Sequence, residues 1–392
     1  MIFARFFKMI YRHMININIY EGRMKLNKHI NEKDWMLLFN QTNGIGAVTM
    51  KKIHEYFGSF TDASDATILD FRHLGLSNSV IDKLHANINK STDIINKIYE
   101  DNRKHNVKVI TIIDERYPKL LAEIYDAPFI LYVKGDETLL NEYSISVVGT
   151  REPSYYGKWA AKGLGQFMAD NQVPVVSGLA KGIDKFVHEG VLSRNGKCIG
   201  VVATGLAEIY PVENKYLYEN IIESGGCIIS EYSLYTKARQ GHFPARNRII
   251  SGLSLATIVV ESKQKGGALI TADQALEQNR DVFAMPGNIN SPNSEGTNNL
   301  IKQGAKVLIK WENIFEEIQV FHHKINNSIL NEIENDIINE EKELLELIPF
   351  QEIHIDLLQT KYDHPDLFVN LLKLQLKNYI VSLPGQYYVR LR

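Results

Sequence analysis

Basic side chains stand beside three glycine-containing turns in the middle of the sequence. The turns lie in Val148-Gly-Thr-Arg151, in Ser177-Gly-Leu-Ala-Lys-Gly182 and in Phe243-Pro-Ala-Arg-Asn-Arg-Ile-Ile-Ser-Gly252. The first two follow short β-branched runs, and a glycine at the end of a buried strand lets the chain enter a helix whose free N–H groups face an anion. The pattern therefore predicts a rim that binds phosphate groups.

Arg151 and Lys181 are the cations that we expect to contact phosphate most directly. The planar guanidinium of Arg151 fits two phosphate oxygens at once, and the alternative is an ion pair with Glu152. Lys181 lies inside the turn Gly178–Gly182, where the backbone N–H groups and the next helix would form a second phosphate seat. The alternative for Lys181 is a solvated lysine on a turn.

Phe243 and the basic residues around it would complete a groove for a single nucleic-acid strand. Such a groove needs cations along the backbone and an aromatic ring on which a base can stack. Phe243 is the candidate ring, although it could instead be a buried staple for the turn. Arg246 and Arg248 flank Asn247 at a helix start, so one is expected to face the groove and the other to brace the turn. Lys263 and Lys265 either extend the basic rim or lie in an exposed, solvated loop.

The predicted nucleic-acid contacts come from all three turns and from the loop that follows the third. They are Gly149, Thr150, Arg151, Ser177, Gly178, Lys181, Gly182, Phe243, Arg246, Asn247, Arg248, Lys263 and Lys265.

Acid–base chemistry is the competing interpretation of the same region. The candidate groups are Asp184, His188, Glu231 and Glu261. Asp184 and His188 could pair at helical spacing, and carboxylates in α/β turns usually accept backbone N–H bonds. The sequence has no Gly-x-Ser-x-Gly elbow, no complete phosphate-binding loop of the ATPase type and no His/Cys metal cluster. We therefore predict no catalytic residue, no metal and no cofactor.

Composition is that of a soluble protein of 392 residues with two or three domains and a formal net charge of −2. Because this net charge excludes a uniformly basic surface, any anion site must be a local cluster of Lys and Arg.

Cys198 and Cys227 lie in apolar runs and are predicted to be buried and free, which favours a reducing cytoplasm. The first twenty residues have neither a signal-peptide pattern nor a membrane helix, and we expect no membrane association. Residues 1–24 are expected to be a disordered upstream extension, with Met24 as an alternative start of the protein.

The elements that position these groups follow a clear order. Helical patterns over 25–104 predict a small helical module, whose Asn43–Gly46 turn fits either a helix-hairpin-helix or a sterile-alpha-motif-like unit. Strands alternating with helices over 105–318 predict a parallel sheet with helices on both faces. A polar linker is expected over 319–338. Three helices and a hairpin over 339–392 are typical of a winged-helix domain, which would either read DNA or contact a protein.

The motifs of the central region resemble the family of DNA-processing protein A, also called Smf. The resemblance is carried in order by Val148–Arg151, Ser177–Asp184 with His188, Thr204–Asn214, Ser230-Glu231, Phe243–Ser254, Gly267–Ala272, Met285–Gly287 and Gly296–Asn298. It implies an extended Rossmann-like, doubly wound and mostly parallel sheet between the helical module and the winged-helix-like domain. One departure is Lys265-Gly-Gly-Ala268, where family members often carry a serine before the second glycine.

This resemblance also implies a function. It implies a dimeric, cytoplasmic protein that binds and protects single-stranded DNA and helps to load RecA recombinase in natural transformation and recombination. Two other hypotheses stay open from the residues. Related Rossmann-like enzymes hydrolyse nucleoside monophosphates, but the glutamate of their Pro-Gly-Gly-x-Gly-Thr-x-x-Glu signature has no counterpart after Thr271 here. The third hypothesis is an adaptor whose terminal modules bind proteins.

Overall fold

A computed structural model describes residues 30–321 and 339–391, apart from 363, 378 and 384. The predicted extension over 1–24 and most of the predicted linker over 319–338 lie outside the described residues. The chain divides into two compact units, which are described separately. One consists of the described residues up to Ile45 together with Lys52–Ile98, and the other of Gly46–Lys51 and the described residues from Tyr99. The predicted domain boundaries stay predictions.

The N-terminal region is helical, as its periodicity predicts. Its helices are α1 (Glu32–Gln41), α2 (Ala47–Phe57), α3 (Phe60–Ser64), α4 (Ile68–His73), α5 (Asn78–Ile88) and α6 (Ser91–Lys104). Asn31 caps α1 because its side chain accepts from the backbone N–H of Asp34 while the Asp34 carboxylate accepts from that of Asn31. Phe39 and Phe60 are fully buried and meet edge to face, with ring centroids 5.3 Å apart. The predicted turn with Gly44 joins α1 to α2.

Within the described residues, nine strands form one sheet in the second unit. They are β1 (Lys108–Thr111), β2 (Ile130–Gly135), β3 (Ile145–Val148), β4 (Val175–Ser177), β5 (Cys198–Val201), β6 (Cys227–Ser230), β7 (Ala256–Val259), β8 (Asp281–Ala284) and β9 (Lys306–Val307). Their order is β1-β2-β6-β5-β4-β3-β7-β8-β9. The pairs β1/β2 and β2/β6 are antiparallel and all other pairs are parallel.

Helices connect the strands of this sheet. They are α7 (Lys119–Ala122), α8 (Tyr155–Asp170), α9 (Ile183–Leu192), α10 (Lys215–Glu223), α11 (His242–Gly252), α12 (Gly267–Glu277), α13 (Glu295–Lys302) and α14 (Asn313–Glu317). Single 3-10 turns occupy Glu137–Asn141, Val212–Asn214, Pro292–Ser294 and Gln319–Phe321. From β3 the chain winds outward to β4, β5 and β6, then returns to place β7 on the other side of β3. This reversal creates a crevice beyond the carboxyl ends of β3 and β7, where ligands bind in open α/β sheets.

Buried strands hold the sheet together. All residues of β3 to β7 are buried, which explains why their sequences are continuous apolar runs instead of alternating ones. Cys198 and Cys227 are buried free thiols, as predicted, and burial raises the pKa of both. These observations confirm the predicted α/β fold with a mostly parallel sheet.

Helices α8 and α9 approach each other through two glycines. A Cβ on Gly165 would collide with the carbonyl oxygen of Val187, and one on Gly190 would collide with that of Lys162. The two helices follow β3 and β4, so this close contact fixes the relative positions of the turns that precede them.

The C-terminal residues form the predicted winged-helix order. They contain α15 (Asn339–Leu347), β10 (Ile353–His354), α16 (Ile355–Lys361), α17 (Leu367–Leu376), β11 (Ile380–Leu383) and β12 (Tyr387–Arg390), with a sheet order of β10-β12-β11. Leu344, Leu358 and Leu374 are fully buried in a separate core. Helix α17 exposes apolar side chains, namely Phe368, Leu372 and Leu376. This exposed surface favours the protein-contact alternative over DNA reading.

No helix in the described ranges is long and apolar enough to cross a membrane.

The glycine contact between α8 and α9 generates a stability prediction with opposite signs at two nearby positions. Gly165→Ala places a methyl group against backbone and is expected to lower the free energy of unfolding by about 1–3 kcal/mol. Gly163→Ala in the same helix meets only the Trp311 ring at 3.4 Å and is expected to raise it by up to about 1 kcal/mol. Urea unfolding of both variants measures the difference, and a stabilised Gly165→Ala would contradict the packing described here.

Candidate nucleic-acid interface

A groove of about 630 Å³ opens at the carboxyl ends of β3 and β7. We call it the first groove; its charged lining is Arg151, Asp184, Arg239, Arg246, Lys263 and Lys265, and its aromatic lining is Tyr210 and Phe243. Parallel strands bring the loops after β3 and β7 to the same edge, which explains why residues distant in sequence meet here. Five cations face one carboxylate, so the lining is strongly positive although the whole chain is not.

Arg151 is exposed and lies beside the ring of Phe243. Its guanidinium carbon is 5.2 Å from the ring centroid, within the range of a cation–π contact. Among the described residues, no carboxylate oxygen lies within 4.0 Å of Arg151, whereas Glu152 pairs with Lys263 at 2.9 Å. The alternative of an Arg151–Glu152 ion pair is therefore wrong, and the guanidinium points into the groove with its donors available.

The turn after β4 differs from the prediction. We expected the N–H groups of Gly178–Gly182 to be free for a phosphate, but those of Gly178 and Ala180 donate to the Asp184 carboxylate at 3.1 and 3.4 Å. The N–H of Ile183 donates to the carbonyl of Thr150 at 3.1 Å. An internal carboxylate thus occupies the place that we assigned to a phosphate.

The side chains of this turn are also engaged. The buried hydroxyl of Ser177 donates to the carbonyl of Val147 at 2.6 Å, so Ser177 belongs to the floor beneath the groove. The ammonium group of Lys181 is exposed and bonds to Glu213 at 2.6 Å. Lys181 and Gly182 lie outside the first groove, on the far side of Arg151.

Arg246 lines the first groove but uses its donors to brace it. Its guanidinium is buried and donates to the carbonyl of Gly178 at 2.6 Å and to that of Val201. A Cβ on Gly178 would collide with this guanidinium, so a larger residue there would force Arg246 to move. Burial lowers the pKa of Arg246 to about 10, while burial raises the pKa of Asp184 and the nearby Arg246 charge opposes that rise.

Arg248 does not face the groove. Its buried guanidinium bonds to Asp126 at 2.8 Å and to Glu231 at 2.7 Å. The prediction that Arg248 contacts nucleic acid is therefore not supported by its position, because two carboxylates already satisfy its donors. Asn247, between the two arginines, lines the groove and accepts from Arg246 Nε at 3.2 Å.

Gly149 and Thr150 form the start of the loop after β3 and line the first groove. The N–H of Thr150 donates to the carbonyl of Glu261 at 2.8 Å, which links this loop to the end of β7. The Thr150 hydroxyl accepts from the N–H of Glu152 at 3.2 Å. Lys263 and Lys265 face Thr150 from the loop after β7, so the predicted extension of the basic rim is brought together at one edge.

Phe243 is half-buried and packs against Tyr210, with ring centroids 5.6 Å apart. Tyr210 is 48% exposed and was not singled out as a contact from the sequence, although it lies in the motif Thr204–Asn214. Arg239 was missed as well. The available signal was its place in the basic run Lys237-Ala-Arg239, four residues before Phe243.

The carboxylates of Asp184, Glu231 and Glu261 are held in structural contacts, and His188 is fully buried. His188 does not pair with Asp184, whose carboxylate accepts from the turn, and Glu231 pairs with Arg248. Glu261 accepts from the N–H of Ser154 at 2.9 Å and from the Ser154 hydroxyl. In the part of the chain that the structure describes, no group of three or more His, Cys, Asp or Glu side chains could hold a metal ion.

Comparison with known proteins identifies one family over this region. The profile of the family described as DNA recombination-mediator protein A matches residues 108–319. The chain is 45% identical over 217 residues to DNA processing protein DprA of Bacillus subtilis, covering 55% of this chain and 73% of that protein. It is 37% identical over 293 residues to protein Smf of Escherichia coli, covering 73% of this chain and 78% of that protein.

A solved structure is similar in fold as well. The X-ray structure of DNA processing protein A from Streptococcus pneumoniae superposes with a TM-score of 0.63 at 33% identity, covering 73% of this chain and 98% of that chain. The match confirms the resemblance drawn from the motifs and the extended Rossmann-like fold.

The buried His188 generates a prediction for the pH dependence of stability. Burial lowers the pKa of His188 to about 3, below its ordinary value of 6.5, so the folded state binds fewer protons than the unfolded state between these values. This contribution is complete above pH 6.5 and is lost as the pH falls below it. Between pH 7.5 and 5.5 the wild type should lose about 1.4 kcal/mol more unfolding free energy than His188→Asn. Urea unfolding at both pH values measures this, and equal losses would contradict a neutral buried imidazole.

Proposed function

The chain belongs to the DNA recombination-mediator protein A family, and on this premise we propose that it binds single-stranded DNA in the first groove without cleaving it. The observation that carries the proposal is the guanidinium of Arg151, which pairs with no carboxylate of the described residues and lies beside the half-buried ring of Phe243. It lies in a groove with five cations and one buried carboxylate. A polyanion is the ligand that this charge balance favours.

The aromatic side chains favour a single strand over a duplex. Bases of a single strand have free faces that stack on aromatic rings, whereas duplex bases are already stacked. Tyr210 and Phe243 supply such rings in the same groove as Arg151. Lys263 and Lys265 line the same groove from the loop after β7, and in this proposal they contact phosphates on the other side of the bound strand.

Binding without catalysis fits the state of the carboxylates. Asp184 and Glu261 accept backbone N–H groups and Glu231 is paired with Arg248, so each has a structural role. The signature of the nucleotide-hydrolase alternative has its glutamate three residues after the threonine, and the third residue after Thr271 in this chain is Gln274. No contact described above favours that alternative.

Protection of the bound strand and its transfer to a RecA-type recombinase form the finer part of the proposal. The family description as a recombination mediator supports it, as does a groove that grips the backbone and leaves the strand uncut.

We also propose that the protein forms a homodimer through the α/β region. An apolar cleft of about 300 Å³ is lined in part by Tyr156, Trp159, Ile309 and Trp311. Trp159 is 62% exposed and Ile309 is 76% exposed, and the rings of Trp159 and Trp311 lie 6.2 Å apart. Large exposed apolar patches mark protein contacts, and a second copy of this chain would cover this one.

The double variant Arg151→Ala/Lys265→Ala tests the DNA-binding proposal, because both side chains line the first groove. We expect its affinity for a labelled single-stranded oligonucleotide to fall by at least about tenfold at about 0.1 M salt, because two charge-assisted contacts are lost. The slope of log affinity against log salt should decrease by about 0.7 for each lost phosphate contact. Fluorescence anisotropy over a salt series measures both quantities.

Arg194→Ala is the matched control, because Arg194 is exposed and follows α9 at the opposite edge of the sheet. It should bind as the wild type does. Full affinity in the double variant, binding that ignores salt, or equal affinity for duplex DNA would reject the proposal.

The dimer proposal predicts that Ile309→Glu is monomeric where the wild type is dimeric, because a buried unpaired carboxylate would disrupt an apolar interface. Light scattering after size-exclusion chromatography measures the mass. Leu276→Glu on α12, which is 57% exposed and outside the cleft, is the control and should stay dimeric. An unchanged mass for Ile309→Glu would show that the interface lies elsewhere.

A further inference from the structure

A second groove, of about 380 Å³, lies on the other side of Arg151. Its charged lining is Arg151, Glu152, Lys158, Lys181, Lys185 and Glu213. Four cations and two carboxylates give it an excess of two positive charges. It lies at the starts of α8 and α9, so it is built by the elements that follow β3 and β4.

The second groove is continuous with the first at Arg151. The guanidinium of Arg151 lines both, and a small cavity of about 50 Å³ between them is lined by Arg151, Lys181, Tyr210 and Phe243 among others. A strand that contacts Arg151 and Phe243 in the first groove can therefore extend past Arg151 into the second groove. The carboxylates that line the second groove are those of Glu152 and Glu213.

The ring of Phe186 contacts two lysines of the second groove, Lys158 and Lys185. The ammonium groups of Lys158 and Lys185 lie 5.7 and 5.8 Å from the centroid of its ring, and Lys185 also lies 5.6 Å from the ring of Tyr216. Such cation–π contacts hold the charges in place before a ligand arrives. In the described residues Lys158 has no carboxylate within 4.0 Å, and Lys185 has one distant partner, Glu189, at 3.7 Å.

We propose that the second groove binds the phosphodiester backbone of the same single strand beyond Arg151, with Lys158 and Lys185 as its phosphate contacts. This inference rests on the proposed function and extends it. The binding site then covers more nucleotides than the first groove alone, and affinity increases with strand length until both grooves are filled.

The test compares oligothymidylates of about 4 and about 16 nucleotides, the range that single-strand sites occupy. The wild type should bind the longer one much more tightly. In Lys158→Ala/Lys185→Ala this gain from length should shrink by about tenfold, and the salt slope for the longer strand should fall by about 1.4, since Lys158 and Lys185 each contact a phosphate. Lys162→Ala/Lys302→Ala removes two exposed lysines outside both grooves and should keep the full gain.

A gain from length that is the same in both double variants would overturn the second groove as a site. Equal weakening for both strand lengths would also overturn it, because the lysines would then act on the first groove. Failure of the wild type to bind either strand would reject the proposed function itself. Matching urea midpoints for the two double variants verify that the Lys158→Ala/Lys185→Ala protein is folded.

Discussion

A buried carboxylate and a buried guanidinium shape the floor of the first groove. Asp184 accepts the N–H groups of Gly178 and Ala180, and Arg246 donates to the carbonyls of Gly178 and Val201. The ends of β4 and β5 and the starts of α9 and α11 are thereby tied to one another. Leaving a buried polar group without its hydrogen-bond partner typically costs about 1–3 kcal/mol, and more for a charged group, whereas an exposed ion pair on the rim contributes about 0–1 kcal/mol. The exposed Arg151 and the half-buried Phe243 lie above this hydrogen-bonded floor.

The fold was largely predictable because its dominant signals are local. Continuous apolar runs ending at glycine identify buried parallel strands, and helical periodicity with glycine ends identifies the connections. The antiparallel pairing of β2 with β1 and with β6 could not be predicted, since the partner of a strand depends on tertiary packing that the strand's own residues do not encode. The C-terminal helices and hairpin were predictable for the same reason as the sheet, whereas the apolar surface of α17 becomes evident only when its neighbours are known.

The sequence predicts which edge of the sheet holds the candidate site, but it does not predict which side chains at that edge face the groove. Arg246 and Arg248 are two residues apart on one helix, yet one lies under the groove and the other between Asp126 and Glu231. The turn Gly178–Gly182 has the pattern of an anion site, and an anion does occupy it, but this anion is Asp184 from the same chain. Local sequence shows that such a turn will satisfy its N–H groups with negative charge. Whether the charge belongs to a ligand or to a side chain is decided by the three-dimensional position of that side chain.

Lys181 and Lys263 each have a glutamate partner that a bound phosphate would displace. Each lysine already holds an exposed carboxylate, Glu213 or Glu152, so an arriving phosphate replaces one anion by another instead of shedding a shell of mobile ions. Such an exchange releases fewer small ions than the lysine count suggests, and the departing phosphate leaves behind a cation that is immediately neutralised. Both effects flatten the free-energy profile along the strand's path.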